Sequence, residues 1–180
     1  EVRNAVHYLT GAARDPRLHE ITVALGAEML ITAGRADGVS AARDRIETAI
    51  ASGHAAEIFG RMVAGLGGPA DFVERVDDYL PKAAVVRDVL AEGDGHVAAI
   101  DTRAVGIAVI ELGGGRRVAS DPIDLSVGFS GLAGMGTRVD AQTPLARVHA
   151  RSEAEAEHAA RLLRAGYRLA RVAEDLHTLA

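Results

Sequence analysis

The spacing of apolar residues changes at Pro81, and the change divides the chain into two kinds of structure. Before Pro81, apolar side chains recur every three or four positions, the period of one helix face. After it, β-type residues gather in short runs between turn signals. With 180 residues, the chain has room for one ordinary domain, or one domain with part of another. The pattern predicts helices over residues 1–80 and an α+β segment over residues 81–180.

The helical segment is punctuated throughout. Val2, Val6 and Leu9 share a face, and Thr10-Gly11 ends that helix. Asp15-Pro16 is a start signal, because the carboxylate caps free N–H groups and proline suits the first helical position. Leu18, Ile21, Leu25 and Met29 form the next stripe, with Gly34 placed to take a left-handed stop. Ser40 reads as a further N-cap, with Ile46 and Ile50 inward and Gly53 as the stop. Ile58, Phe59, Met62 and Val63 make a fourth stripe, closed by Gly67-Gly68. Pro69 opens a turn carrying Phe72, Val73 and Val76. Each helix has one apolar face that needs cover. Two arrangements supply it: the helices pack on one another, or they form the outer layer of a sheet that lies outside this sequence.

In the second segment, Val85 to Leu90 and His96 to Ile100 flank the turn Glu92-Gly93-Asp94-Gly95, a pattern that predicts a hairpin. Thr102 to Leu112 is a nearly continuous apolar run, which by period alone suits a buried strand or a buried helix. Asp101 before it and Gly113-Gly114-Gly115 after it favour a helix. Ile123 to Leu132 and Leu145 to Ala150 read as strands. Ser152 and Glu155 form a capping box for a last helix. Its acidic start (Glu153, Glu155, Glu157) and the arginines that follow (Arg161, Arg164, Arg168, Arg171) suit the helix dipole. The order is β-β-α-β-β-β-α.

Composition excludes several kinds of chemistry. There is no cysteine, which removes disulfides, thiolate metal sites and cysteine nucleophiles. Lys82 is the only lysine among 20 basic residues. The net charge is -5, with eight basic and twelve acidic residues up to residue 80 and twelve and thirteen after it. Neither part has the basic surplus of a nucleic-acid binder. Aromatics are 3% with no Trp, too few for base-stacking platforms. No apolar run approaches the roughly 18 residues of a membrane span, and no signal-peptide layout opens the chain. The expected partners thus include neither nucleic acid nor membrane, and the expected location is cytoplasmic. The start at Glu1, without Met and already in helical pattern, reads as a cut end.

The motifs that could carry chemistry fall short of their templates. Gly113-Gly114-Gly115-Arg116-Arg117 offers amides and guanidiniums to an anion. It lacks the lysine of a P-loop and the strand–helix setting of a dinucleotide loop, so it reads as a turn. Gly128-Phe129-Ser130-Gly131-Leu132 misses the G-x-S-x-G elbow by one position. Asp121 and Asp124 flank Pro122; two carboxylates can share acid–base work, but Asp beside Pro is ordinary turn chemistry. The seven histidines show no metal-ligand spacing. The segment from Gly136 to Ala150 resembles the biotinyl/lipoyl carrier fold. Such carriers need a lysine on a hairpin tip, and Lys82 lies far upstream.

Several segments together resemble one family. They are Asp78-Tyr79-Leu80-Pro81-Lys82-Ala83, Asp101-Thr102-Arg103-Ala104-Val105-Gly106-Ile107-Ala108-Val109, Gly113-Gly114-Gly115-Arg116-Arg117, Asp121-Pro122-Ile123-Asp124-Leu125-Ser126-Val127-Gly128-Phe129 and Pro144-Leu145-Ala146-Arg147-Val148-His149-Ala150. Upstream, Glu1-Val2-Arg3, Leu9-Thr10-Gly11, Pro16-Arg17-Leu18 and Ala55-Ala56-Glu57-Ile58-Phe59-Gly60-Arg61-Met62-Val63 fit as well. In this order they are similar to the C-terminal part of the thymidine phosphorylases, within the pyrimidine-nucleoside phosphorylases. The resemblance covers nearly the whole chain.

The resemblance implies a parent enzyme that cleaves thymidine or deoxyuridine with inorganic phosphate, its co-substrate, and needs no other cofactor. It implies a homodimer in which a helical N-terminal domain closes on a larger α/β domain. Residues 1–80 would be the last helices of that catalytic domain. Residues 81–180 would be the C-terminal module, of α/β-hammerhead arrangement. The family's phosphate and base ligands, including a Lys-His-Ser segment, precede the stretch matching Glu1. No catalytic, substrate-binding or metal-binding residue is therefore expected in this chain. A family cation-binding Glu falls at Asn4, whose amide lacks the charge, and no cation site is assigned there. The chain's partners would be the preceding portions of the same enzyme, and alone it would be inactive. The alternatives are a free-standing binding or biotinyl-like module, and part of a phosphorylase of broader pyrimidine-nucleoside specificity.

Overall fold

A computed structural model describes residues 1–170 and divides the chain into two compact units, Glu1–Leu80 and a second that begins at Pro81. The first unit is helical: α1 (Val2–Thr10), α2 (Pro16–Thr32), α3 (Val39–Ala51), α4 (His54–Gly65) and the single turn α5 (Val76–Tyr79). The start and stop residues act as their chemistry dictates. The Asp15 carboxylate accepts the Leu18 N–H at 2.8 Å, with Pro16 at the first helical position. Gly11 ends α1 in the left-handed region at φ 78°, which glycine adopts without steric cost. Ser40 is not an N-cap: α3 begins one residue earlier, at Val39, with Gly38 in the capping position.

Two patches hold this unit together. Val6, Phe72 and Val76 form one, lined by Phe59, Val63, Val73 and Leu80. The other joins α2 to α3, where Val23 and Ala27 are buried. His19 bridges this corner, meeting the Tyr8 hydroxyl at 2.9 Å and the Glu47 carboxylate at 3.0 Å. The Leu18–Met29 stripe is not part of either patch. Its exposure rises from 36% at Leu18 to 72% at Met29.

The second unit contains β1 (Val85–Val89), β2 (Gly95–Ile100), α6 (Thr102–Glu111), β3 (Gly128–Ser130), β4 (Arg138–Val139), β5 (Ala146–Ala150), α7 (Glu153–Ala165) and β6 (Tyr167–Ala170). The strands form two antiparallel three-stranded sheets, ordered β1-β5-β3 and β4-β2-β6. The mixture of helices and small antiparallel sheets is α+β, as expected. The hairpin is not found, because β1 and β2 lie in different sheets. β1 pairs instead with β5, Val89 opposite Ala146. The inward residues of β5, Ala146, Val148 and Ala150, are fully buried, and this alternating face outweighs the local turn signal after β1.

Two other boundaries differ from expectation. The strand expected over 123–132 shrinks to β3, because Asp124 folds its own chain back by accepting the Ser126 N–H at 2.9 Å. The last helix stops at Ala165, and Arg168 lies on β6; Arg171 lies outside the described residues. β6 pairs with β2, Tyr167 opposite Ile100, and Tyr167 donates its hydroxyl to the Ala133 carbonyl at 3.1 Å. The capping box forms only in part. Ser152 accepts the Glu155 N–H at 3.3 Å, but the Glu155 carboxylate reaches back to the Arg151 N–H, at 3.2 Å.

The core of this unit lies under α7, where Ala156, Ala159, Ala160 and Leu163 meet Val89, Val97, Leu145 and Val148. Sheet β4-β2-β6 closes around a glycine. A β-carbon at Gly95 would stand 2.7 Å from the Ala170 carbonyl oxygen and 3.3 Å from Leu169 Cβ. Backbone on the far side cannot swing away as a side chain can. Gly95→Ala should therefore push β6 off β2 at a cost of about 1–3 kcal/mol. Hydrogen exchange should show faster β6 amides with β5 amides unchanged. Unchanged β6 protection would disprove the close approach.

Candidate functional site

The strongest concentration of chemistry in the second unit is the loop from Gly113 to Val127. It follows the C-terminus of α6 and borders a shallow cavity of about 320 Å³. Glu111, Arg117, Asp121, Asp124 and Arg151 ring the cavity, with Gly113 and Gly115 against its wall.

The glycines are there for space and backbone conformation. Gly113 takes φ 89°, a conformation other residues rarely adopt. A β-carbon at Gly114 would lie 3.0 Å from Val109 Cγ1 and 3.2 Å from the Val127 carbonyl oxygen. One at Gly115 would lie 2.8 Å from Ile110 Cγ1. The chain leaves α6 by doubling back against it, which bulkier residues would prevent.

The charges around the cavity are paired with near neighbours. Asp121 accepts the backbone N–H groups of Arg117 at 3.0 Å and Val118 at 3.1 Å. Arg117 donates to Glu111. Arg151 donates to Glu155, with Nε to Oε2 at 3.1 Å. The Asp124 N–H donates to the Gly113 carbonyl at 2.9 Å, and its carboxylate accepts both the hydroxyl and the amide of Ser126. An anion entering here would have to displace carboxylates from their guanidiniums. The geometry is that of a braced turn, and Asp121 and Asp124 brace it from either side of Pro122.

The Ser126 hydroxyl, then its amide, hold the Asp124 carboxyl below the usual carboxylate range. The folded form thus favours the ionised acid. Its contribution to loop order is complete above the unfolded value of about 3.9 and is lost as pH falls through the lower folded value. An NMR titration should show the Ser126 amide shifting in that acid range. Asp124→Asn should abolish the shift, and a shift that survives the substitution would refute the assignment.

The other predicted positions do not converge on this loop. Ser130 and His149 meet on sheet β1-β5-β3, Oγ to Nε2 at 2.7 Å, where β3 lies beside β5. Sequence reading missed the pair because the two residues are 19 positions apart and only strand pairing brings them together. Gly128 opposite His149 is the register that would have revealed it. Asn4 is exposed on α1, and Lys82 is exposed ahead of β1 rather than on a hairpin tip. Among the described residues, no group of three His, Asp or Glu side chains could hold a metal ion. No described helix is long and apolar enough to cross a membrane. In the first unit, a more open hollow of about 440 Å³ runs along α3, beside Asp44, Arg45, Thr48 and Ser52.

Two small antiparallel sheets, a helix with an alanine-rich face and a loop braced by local charges define an α+β module. Among the described residues it has neither the crossover helices nor the glycine loop of a nucleotide-binding sheet. Residues 96–170 match the family model described as the pyrimidine nucleoside phosphorylase C-terminal domain. The second unit thus carries a domain similar to the C-terminal domain of the pyrimidine nucleoside phosphorylases.

Proposed function

We propose that this chain is the C-terminal part of a thymidine phosphorylase. The intact enzyme cleaves the N-glycosidic bond of thymidine or deoxyuridine with inorganic phosphate, giving the free base and 2-deoxyribose 1-phosphate. The match of residues 96–170 carries this reading, and the motifs upstream of residue 96 extend it toward Glu1. In it, residues 1–80 are the closing helices of the catalytic domain, and the preceding portions of the enzyme supply the phosphate and base ligands. The surroundings of the braced loop support this division of labour, since Glu111 and Glu155 already occupy Arg117 and Arg151. The intact protein acts as a homodimer in the cytoplasm. The test is phosphate-dependent release of thymine from thymidine, run on the 180-residue chain and on the intact enzyme.

A further inference from the structure

The sequence contains two Asp-Gly steps: Asp37-Gly38 between α2 and α3, and Asp94-Gly95 at the start of β2. In such a step the main-chain nitrogen of the glycine can attack the aspartyl carboxyl carbon, because no β-carbon crowds the approach. The attack makes three demands on the fold. The carboxyl must be free of partners, the amide must lie outside any ladder, and the peptide must have room to rotate. Both aspartates are exposed. The glycines decide between the two steps.

At the first step all three demands are met. Among the described residues, the Asp37 carboxylate has no hydrogen-bond or ion-pair partner, and the Gly38 N–H donates to no acceptor. α3 takes no side-chain cap, so the carboxylate is not held away from the amide that follows it. A β-carbon at Gly38 would have no neighbour within 4 Å. Asp94-Gly95 has the opposite setting. Gly95 is buried and pairs with Val139 of β4. A β-carbon there would stand 2.7 Å from the Ala170 carbonyl oxygen of β6. Turning the Gly95 peptide toward its carboxyl would require β2 to part from its neighbours.

We propose that Asp37-Gly38 is a site of spontaneous covalent modification, where aspartate isomerises through a cyclic imide to isoaspartate, while Asp94-Gly95 stays intact in the folded chain. The Gly38 nitrogen forms a bond to Asp37 Cγ, and the carboxyl hydroxyl leaves as water with the amide proton. Water then opens the imide. Breaking the bond to Cγ restores aspartate, and breaking the bond to the main-chain carbonyl carbon gives isoaspartate. Nothing is oxidised or reduced, and the water released is taken back. The product lengthens the main chain by one carbon directly before α3. The Gly38 carbonyl accepts the Ala42 N–H at 3.0 Å, and Ala42 is fully buried. A longer link should turn that carbonyl and loosen the first turn of α3. The inference holds whichever substrate the intact enzyme takes.

Warm incubation of the 180-residue chain at neutral pH, followed by peptide mapping, tests it. Isoaspartate should accumulate at residue 37, with a minor form lighter by one water. Residue 94 should convert at least about tenfold more slowly, the factor that an opening cost of about 1.4 kcal/mol imposes. In denaturing urea the two steps should convert at similar rates. Gly38→Ala should slow conversion at residue 37, and the extended backbone there, at φ 174°, accepts a β-carbon. The Ala42 amide should exchange faster in the aged chain than in the fresh one. A folded chain that keeps aspartate at residue 37 would overturn the proposal. So would equal conversion at residues 37 and 94 without urea.

Discussion

Thymine release from thymidine is expected from the intact enzyme in the presence of phosphate, and from the 180-residue chain at a rate lower by more than about a thousandfold. Phosphorolysis brings a phosphate dianion to a sugar carbon while negative charge develops on the departing base. Both demands call for preorganised cationic or hydrogen-bonding donors, and losing even one such donor typically costs 10²–10³ in rate. Among the described residues, the second unit's strongest candidates are spent: Arg117 on Glu111, Arg151 on Glu155 and Arg147 on Asp88. The single lysine, Lys82, is exposed outside the cavity. Release of thymine by the 180-residue chain would overturn this division of labour and direct attention to Arg116 and Arg117. Absence of release from both proteins would count against thymidine as the substrate.

The parts of the fold legible in the sequence are those set by contacts close along the chain. The apolar run from Thr102 to Leu112 suits either strand or helix, and the Asp101 cap decides for α6, accepting the Ala104 N–H at 2.9 Å. Asp15 and Gly11 mark their helix ends for the same local reason. Two failures are local, the Ser40 cap and the strand over 123–132; the larger ones involve pairing across long separations. The turn after β1 suggests a hairpin, but the partner with the matching buried face is β5, some 60 residues on. The arginines after Ala165 suit a continuing helix, yet Gly166 and β2 together turn Tyr167–Ala170 into a strand. The turn chemistry of the glycine loop and of Asp121-Pro122 was legible, because backbone conformation and neighbouring amides determine it. The Ser130–His149 contact was not, because it exists only once β3 and β5 are in register.

Leu163→Ala should be the most damaging single substitution to the stability of the second unit. Leu163 is fully buried, the one large side chain on the inward face of α7, while Ala156, Ala159 and Ala160 let the helix approach the sheets closely. Its neighbours in the core are themselves held by strand pairing: Val148 and Val89 in one sheet, Val97 in the other. They cannot collapse into the vacated space without breaking ladder hydrogen bonds. The loss therefore combines the transfer energy of the missing atoms with a residual cavity, about 3 kcal/mol within the 2–5 seen for such truncations. The exposed ion pairs on the same helix, such as Arg161–Glu157, should each matter by less than about 1 kcal/mol. Hydrogen exchange of the β2 and β5 amides reads this unit without interference from the helical one. Their slowest members should exchange faster by the factor corresponding to that loss, roughly a hundredfold or more at 25 °C. Leu163→Met, which keeps the volume, should cost less than about 1.5 kcal/mol. A Leu163→Ala variant that exchanges as slowly as the parent chain would mean that the alanine face of α7, and not Leu163, closes the core.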